Sequence, residues 1–380
     1  MHGYNEPMEK ISILGSVTTQ QFLQKYWQKK PLLIRQAIPD MQPVLSRDEL
    51  LEMAERDDVE SRLITQFRGN WKLEHGPITT SPKVSQKNWT MLVQGVNLHH
   101  DQASTLLNQF RFIPDSRLDD LMISYATDGG GVGAHFDSYD VFLLQASGQR
   151  RWRISAQKDL TLQPDLPLKI LQTFTPDQEF LLEPGDMLYL PPGYAHEGVA
   201  VGECMTYSIG YRAPSWQELG ESFLTFMADS IDLQGMYSDA GKLSEQPPAQ
   251  LGDALIQEVV KQFNKLAFTS SDIELFLGEY FSEPKNSVFF DPPSPCLSAA
   301  RFAAASEKQG LKLSRKSRML YRNKTIFING LSFMPNTNDR NMLIKLANQR
   351  QLEAGAVKTG SVDLRESLFS WYCDGWIEIL

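Results

Sequence analysis

Gly133-Ala134-His135-Phe136-Asp137 is the stretch on which the reading of this sequence turns. Side chains two apart on a strand face the same way, so His135 and Asp137 can hold one cation together. His196 follows 61 residues after His135, in Pro191-Pro192-Gly193-Tyr194-Ala195-His196-Glu197, behind the expected strand Met187-Leu188-Tyr189-Leu190. Two imidazoles and a carboxylate form the donor set of non-haem iron(II), with positions left open for a chelating cosubstrate and for dioxygen. Zinc more often takes a fourth protein ligand or a single water. An HxD pair alone is common and usually belongs to surface or packing. Here two of only six histidines sit behind glycine-rich turns, Gly129-Gly130-Gly131-Val132-Gly133 and Glu183-Pro184-Gly185-Asp186, which weighs against chance.

Iron rather than zinc requires a cosubstrate site. Arg150, 15 residues after His135 in Gly148-Gln149-Arg150-Arg151-Trp152-Arg153, can supply one. A guanidinium grips a carboxylate through two parallel hydrogen bonds. Strand alternation places Arg150 and Trp152 on one face and Arg151 and Arg153 on the other. By itself Arg150 reads as an ordinary strand-edge cation; an inward arginine in an apolar barrel needs an anion. Ser124, on the strand before the motif, could add a hydroxyl donor, and Tyr207 and Ser208 are weaker candidates. His75, His99 and His100 have no carboxylate at useful spacing and read as surface or loop residues, and His2 as part of an unordered start.

Outward from this centre, short strands dominate: Leu121–Tyr125, Val141–Leu144, Arg151–Ile154, Phe180–Leu182, Met187–Leu190, Gly198–Ala200 and Thr206–Ile209, punctuated by glycine and proline. Such a pattern implies a sandwich or barrel. Upstream, Thr18 or Thr19 caps a helix, Ser46-Arg47-Asp48-Glu49 is a capping box, Gly69-Asn70 reads as a hairpin turn, Trp89–Val93 is another strand, and a helix covers Ser104–Phe110. Downstream the period becomes helical over 215–232, 249–267 and 271–281, with a capping box at Ser271-Asp272-Ile273-Glu274 and a loop at Ser244–Pro248. Prolines 284, 292, 293 and 295 mark a linker. The last ~95 residues read as a small α+β domain with a hairpin at Asn329-Gly330, helices near 339–353 and 362–373, and a closing strand at 376–379.

The 380 residues are 42% hydrophobic and 22% charged, ample for sizeable cores. Cys204, Cys296 and Cys373 are odd in number, widely spaced and in no CxxC pair. This argues against disulfides and a zinc ribbon, and suits a reducing compartment. No signal-like start and no long apolar run is visible, so the expected location is the cytoplasm, without a membrane contact. Net charge is −9, but residues 301–350 hold 11 Lys/Arg against Glu307 and Asp339, a balance of +9. A solvated face is the favoured reading of that segment; RNA contact is the sharper one.

The motifs quoted above resemble those of JmjC-type, cupin-like 2-oxoglutarate oxygenases. The runs Asp119-Asp120-Leu121-Met122-Ile123-Ser124 and Tyr139-Asp140-Val141-Phe142, with arginine at 150 where many JmjC proteins have lysine, are similar to the bacterial ribosomal oxygenases, along the whole chain. The resemblance implies an α+β multidomain fold: a double-stranded β-helix with N-terminal helices (1–213), a helical dimerisation region (214–285) and a winged-helix domain (286–380). It implies that His135, Asp137 and His196 bind iron(II), and that Arg150 and Ser124 hold 2-oxoglutarate, with dioxygen as second cosubstrate. It also implies that Asp120, Met122, Tyr139 and Ser208 contact an arginine side chain of a basic large-subunit ribosomal protein, and that the protein is a homodimer. An acidic body would steer such a substrate. Alone, Asp120 reads as a turn residue, Met122 as core filler and Asp119 as exposed. Two alternatives stand beside arginine hydroxylation: action on another side chain (histidine hydroxylation or N-methyl-lysine demethylation), and a non-catalytic cupin-like module with a nucleic-acid-reading C-terminal domain.

Overall fold

The computed structural model of the protein describes residues 12–242 and 245–380. His2 and Ser244 lie outside the described residues. In chain order the first part contains α1 (Thr19–Lys25), β1 (Leu32–Ile34), α2 (Arg47–Ala54), β2 (Ser61–Phe67), β3 (Asn70–His75), β4 (Trp89–Val93), α3 (Asp101–Asn108), β5 (Leu118–Ala126), β6 (Val141–Ser155), β7 (Gln178–Leu182), β8 (Met187–Leu190) and β9 (Ala195–Tyr211). These strands form one sheet in the order β1-β8-β6-β9-β5-β4-β2-β3, with β7 beside β6. The antiparallel pair β6–β9 is its spine, running from Val141↔Gly210 to Ser155↔Ala195.

Both faces of that spine are covered, so its strands read as nearly continuous apolar runs. On the inner face Val141 and Leu143 pack with Trp152, Ile154, Leu182, Leu188 and Leu190. On the outer face Phe142 and Leu144 join Phe22, Phe110, Tyr189, Tyr207 and Ile209 under the N-terminal helices. Phe22 fixes α1 there, its ring centroid 4.9 Å from that of Tyr189 and 5.4 Å from that of Phe142. Of the two candidate caps Thr18 and Thr19 it is Thr18 that caps α1, in a capping box with Gln21, and the box read at Ser46 is formed. α3 starts earlier than its apolar pattern suggests, because His100 Nδ1 accepts from Ala103 N (3.4 Å) and acts as the cap. The β2–β3 turn is Arg68-Gly69, with φ of 49° and 84°, one residue before the expected pair.

After the sheet come α4 (Trp216–Ala228), α5 (Asp253–Phe263) and α6 (Ser270–Ser282). α6 is capped by Thr269 and Asp272, a box two residues upstream of the one read from the sequence. α4 and α5 have no buried residue: Trp216 is 89% exposed, Leu224 69% and Phe263 60%. The chain then forms α7 (Ala299–Gln309), β10 (Leu311–Leu313), β11 (Met319–Arg322), β12 (Thr325–Ile328), β13 (Leu331–Phe333), α8 (Thr337–Gln349), β14 (Gln351–Leu352), α9 (Val362–Cys373) and β15 (Ile377–Ile379) around a separate core that includes Phe302, Leu311, Ile326, Leu343, Leu346 and Leu368. The turn between β12 and β13 is Asn329-Gly330, as read. None of the helices among the described residues is long and apolar enough to cross a membrane.

Three sequence expectations fail here, the third in part. Cys296 and Cys373 are paired as a disulfide across 77 residues, with Cα atoms 5.9 Å apart; a single bridge between a linker and a distant helix leaves no spacing signature. His99 is not a surface residue: it packs beside Arg56 (3.3 Å) and Asp58 (3.9 Å), and burial, then Arg56, push it down to about 4. The basic 301–350 segment is a solvated face only in part: Arg301, Lys308, Arg322 and Lys324 are exposed, while several of its cations are engaged within the chain. Lys316 donates to Phe289 O (2.6 Å) and pairs with Asp291 (2.7 Å), Arg322 pairs with Glu274 (3.0 Å), Arg315 pairs with Asp101, and Arg318 turns into the sheet. Sequence periodicity does not report which cations meet acids from other segments.

Candidate metal and cosubstrate site

The glycine-rich run before His135 makes a tight turn whose last member, Gly133, has φ +81°; a side chain there would also press on Ile170, 2.9 Å from an added Cβ. The turn delivers His135 to a two-bond bridge with His196: His135 N to His196 O at 2.9 Å, and His196 N to His135 O at 2.8 Å. Each imidazole donates from Nδ1 to a carbonyl two residues earlier, His135 to Gly133 O (3.0 Å) and His196 to Tyr194 O (2.9 Å). With Nδ1 engaged in this way, Nε2 of each ring is the atom left to ligate a metal. His196 Nε2 lies 3.6 Å from Asp137 Oδ2, and one donor atom from each of His135, Asp137 and His196 lies within 4.8 Å of the others. Burial, then the neighbouring His135, hold His196 down at about 4. Two imidazoles and a carboxylate converging on one point fit a divalent metal.

Arg150 lies in the same ladder, opposite Ala200, while Ile154 faces His196 and Trp152 faces Gly198. It is 3% exposed. Its Nη1 donates to Ser124 Oγ (3.2 Å) and sits 3.5 Å from Thr206 Oγ1; its Nη2 donates to Gly198 O (3.2 Å). Nε has no partner, nor has the buried Nε1 of Trp152, whose ring lies 5.2 Å from the guanidinium carbon. No acid pairs with Arg150 among the described residues. A buried cation with an idle donor and no counter-charge fits a carboxylate ligand. Gly198 keeps the space open: a Cβ there would stand 2.7 Å from Arg150 Nε and from the Trp152 ring.

The other expected residues sit farther along the same strands. Met122 pairs with Ser208 across β5–β9, and Ser208 with Leu143 across β9–β6. Asp120 is buried; its Oδ2 accepts from Gly95 N (3.0 Å), and burial, then Asp119, raise it to about 6. A Cβ on Gly210 would lie 3.6 Å from Asp120 Oδ1 and 3.9 Å from the Tyr139 ring, so this glycine faces both a carboxylate and an aromatic ring, and the space between them is the candidate slot for a substrate side chain. Burial and the carboxylates of Asp137 and Asp120 push the Tyr139 phenol up, which links the slot to the metal triad. Tyr207 is the candidate the structure removes. It is on the opposite face, its hydroxyl accepting from Val44 N (2.9 Å) in the outer core. Thr206, Gly198, Gly210 and Arg62 were not legible as site residues. Thr206 carried a signal, since it stands two before Ser208 on one strand; Arg62, 3.8 Å from Met122 Sδ, carried none.

The model of the JmjC domain matches residues 105–219, and that of the ROXA-like winged helix matches residues 265–378. The ribosomal protein uL16 3-hydroxylase of Escherichia coli is 37% identical over 280 residues, 72% of this chain and 74% of that protein. The chain belongs to the JmjC ribosomal oxygenases. Another relative of these oxygenases, the probable ribosomal oxygenase of Haemophilus influenzae, is 36% identical over 68% of this chain and 67% of that protein. The crystal structure of E. coli YcfD superimposes with a TM-score of 0.84 at 30% identity, covering 96% of this chain and 99% of that one. YcfD has also been solved in complex with cobalt and 2-oxoglutarate, and that structure superimposes with a TM-score of 0.82 over 96% of this chain and 98% of that one. The sheet is thus the barrel of the JmjC ribosomal oxygenases, and the C-terminal core their winged helix.

Proposed function

We propose that the protein is an iron(II)- and 2-oxoglutarate-dependent hydroxylase of an arginine side chain in large-subunit ribosomal protein uL16, acting in the cytoplasm. The observation that carries this reading is Arg150, a buried guanidinium with an idle donor and no acid, on the strand pair that also presents His196. His135, Asp137 and His196 would hold iron(II), which supplies the redox chemistry that couples decarboxylation of 2-oxoglutarate to hydroxylation of an unactivated carbon.

The remaining work falls to the chain's own groups. Arg150 binds the far carboxylate of the cosubstrate, and Ser124 and Thr206 hold the guanidinium in place. Leu143, Ile154 and Trp152 exclude water from that carboxylate. Asp120 pairs with the substrate guanidinium, Tyr139 offers a face for it to stack on, and Met122 and Ser208 line the slot. A carboxylate at the slot's end favours arginine over the neutral side chain of histidine. The −18 carried outside residues 301–350 suits a basic ribosomal protein. We assign residues 1–213 to the catalytic domain, 214–285 to a dimerisation region and 286–380 to a scaffold domain. The basic residues already engaged within the chain favour scaffolding over RNA reading.

The deciding experiment incubates the purified protein with iron(II), ascorbate, 2-oxoglutarate and uL16 and reads mass spectra. The expected result is the mass of one added oxygen on an arginine, absent with His135→Ala. Hydroxylated histidine would replace the substrate assignment, and turnover retained by His135→Ala would remove the metal assignment.

A further inference from the structure

Asp119, which reads as exposed in the sequence, is the point where three parts of the molecule meet. Its carboxylate pairs with Lys285 of the linker after α6 (2.8 Å), with Arg318 before β11 (3.5 Å) and with Arg212 at the end of β9 (3.6 Å). Arg318 does more than neutralise it. Its Nη1 donates to Leu118 O (3.1 Å) and its Nη2 to Asp119 O (2.9 Å), so one guanidinium spans two successive carbonyls of β5. Those carbonyls lie where the β5–β9 register shifts between Leu118 and Leu121, a bulge whose backbone groups the neighbouring strand does not pair regularly. The bulge turns Asp119 outward to the junction and Asp120 inward to the slot over Gly210. From the other side it is held by hydrogen bonds from Gly95 N to Asp120 Oδ2 (3.0 Å) and from Leu121 N to Asn97 Oδ1 (2.8 Å).

Arg318 is itself held rigidly. Its backbone N donates to Asn329 Oδ1 (2.9 Å) and its carbonyl accepts from Asn329 N (3.0 Å), at the β12–β13 turn of the winged helix. Gly330 N of the same turn donates to Ser282 Oγ at the end of α6 (3.1 Å). A cleft bounded by Gly95, Leu98, Asp120, Lys285, Phe289 and Arg318 opens on this junction.

We propose that Arg318 of the winged helix is a positioning residue for hydroxylation: by clamping the Leu118–Asp119 bulge it aims the Asp120 carboxylate into the slot that takes the cationic side chain of the substrate. This rests on the proposed assignment of that slot to an arginine substrate. The winged helix is then part of the machinery that sets substrate geometry, although none of its residues enters the slot. A small displacement of the bulge moves the target carbon relative to the metal, while Arg150, Gly198 and Thr206 of the cosubstrate site lie on β6 and β9 and Ser124 lies in the regular part of β5 beyond it.

The test uses the full-length enzyme with iron(II), 2-oxoglutarate and uL16, comparing wild type with Arg318→Met and Arg318→Lys. Arg318→Met is expected to raise KM for uL16 about tenfold and the succinate formed per hydroxylated residue about threefold, with KM for 2-oxoglutarate unchanged. Arg318→Lys keeps the charge but cannot span both carbonyls, and is expected to fall between the two. A merely structural role would lower the active fraction and leave both KM values and the succinate ratio as they are in wild type; that result overturns the proposal. If Arg318→Met does not fold, Arg318→Lys decides by the same ratio. A wild type that hydroxylates no ribosomal protein removes the substrate reading and this proposal with it, whereas an active wild type matched by both variants removes the proposal alone.

Discussion

Replacing Arg150 with methionine should have two effects of opposite sign. In the protein without cosubstrate, the guanidinium is buried with no acid and with Nε unpartnered. Of the three groups that lose the guanidinium, Ser124 Oγ still donates to Thr206 O (3.2 Å) and Thr206 Oγ1 to Gln145 Oε1 (2.9 Å), so Gly198 O is the one that loses a side-chain partner without another side-chain bond at the site. Burying a charge costs several kcal/mol, and apolar replacements of similar volume are often stabilising by about 1–4 kcal/mol. Taking the low end, about 1 kcal/mol, the variant without cosubstrate should melt about 2–4 °C above wild type. Cosubstrate binding moves the other way. Two charge-assisted hydrogen bonds at about 1.5 kcal/mol each amount to about 3 kcal/mol, a loss of more than about a hundredfold in affinity. Calorimetric titration with 2-oxoglutarate, with manganese(II) in place of iron so that nothing turns over, measures the second effect. Scanning calorimetry with and without 2-oxoglutarate measures both: at about a hundred times Kd the ligand should add about 2.7 kcal/mol to wild type and almost nothing to the variant. A variant that binds 2-oxoglutarate within tenfold of wild type, or that melts lower than wild type without it, would refute the reasoning.

Gly210→Ala should fold normally, since the added methyl meets only ordinary contacts, 3.6 Å from Asp120 Oδ1 and 3.9 Å from the Tyr139 ring. It should nevertheless cut uL16 hydroxylation at least about tenfold while sparing 2-oxoglutarate binding; unchanged hydroxylation by mass spectrometry would place the substrate elsewhere. Phe263→Glu, on the exposed apolar side chains of α5, should turn a dimer into a monomer by light scattering at micromolar concentration. A wild-type protein that is already monomeric there removes the dimerisation role proposed for 214–285.

The chemistry of the centre was legible because it depends on local rules. The two-residue spacing of His135 and Asp137 brought both to one cation site although they lie outside the strands and only His135 makes a bridge, alternation placed Arg150 with Trp152 on one face of β6, and the Pro-Pro-Gly turn announced His196. Strand and helix positions followed from the same periodicities, with caps misplaced by a residue or two where equivalent signals competed, as at Thr269 and Ser271. What stayed hidden depends on contacts between distant segments. Tyr207 reads like Ser208, yet the pleat sends it to the opposite face. Asp119 reads as exposed until Arg212, Lys285 and Arg318 arrive from three other places. Gly198 and Gly210 matter through the side chains they lack, which becomes visible only when Arg150, Trp152, Asp120 and Tyr139 are seen around them.

The β6–β9 ladder carries its site residues in two regular stretches, Arg150, Trp152, His196 and Gly198 between Gln149↔Val201 and Ser155↔Ala195, and Thr206 and Ser208 between Val141↔Gly210 and Gln145↔Thr206, with register shifts between them. One inserted or deleted residue inside either stretch of β9 would therefore reverse the facing of the rungs beyond it in that stretch, sending donors into the oily layer under α1 and bulky rings into the reaction chamber. Length variation should be tolerated at tips such as Arg68-Gly69 and be lethal to activity within 196–200 or 206–208, even where each individual amino acid is preserved.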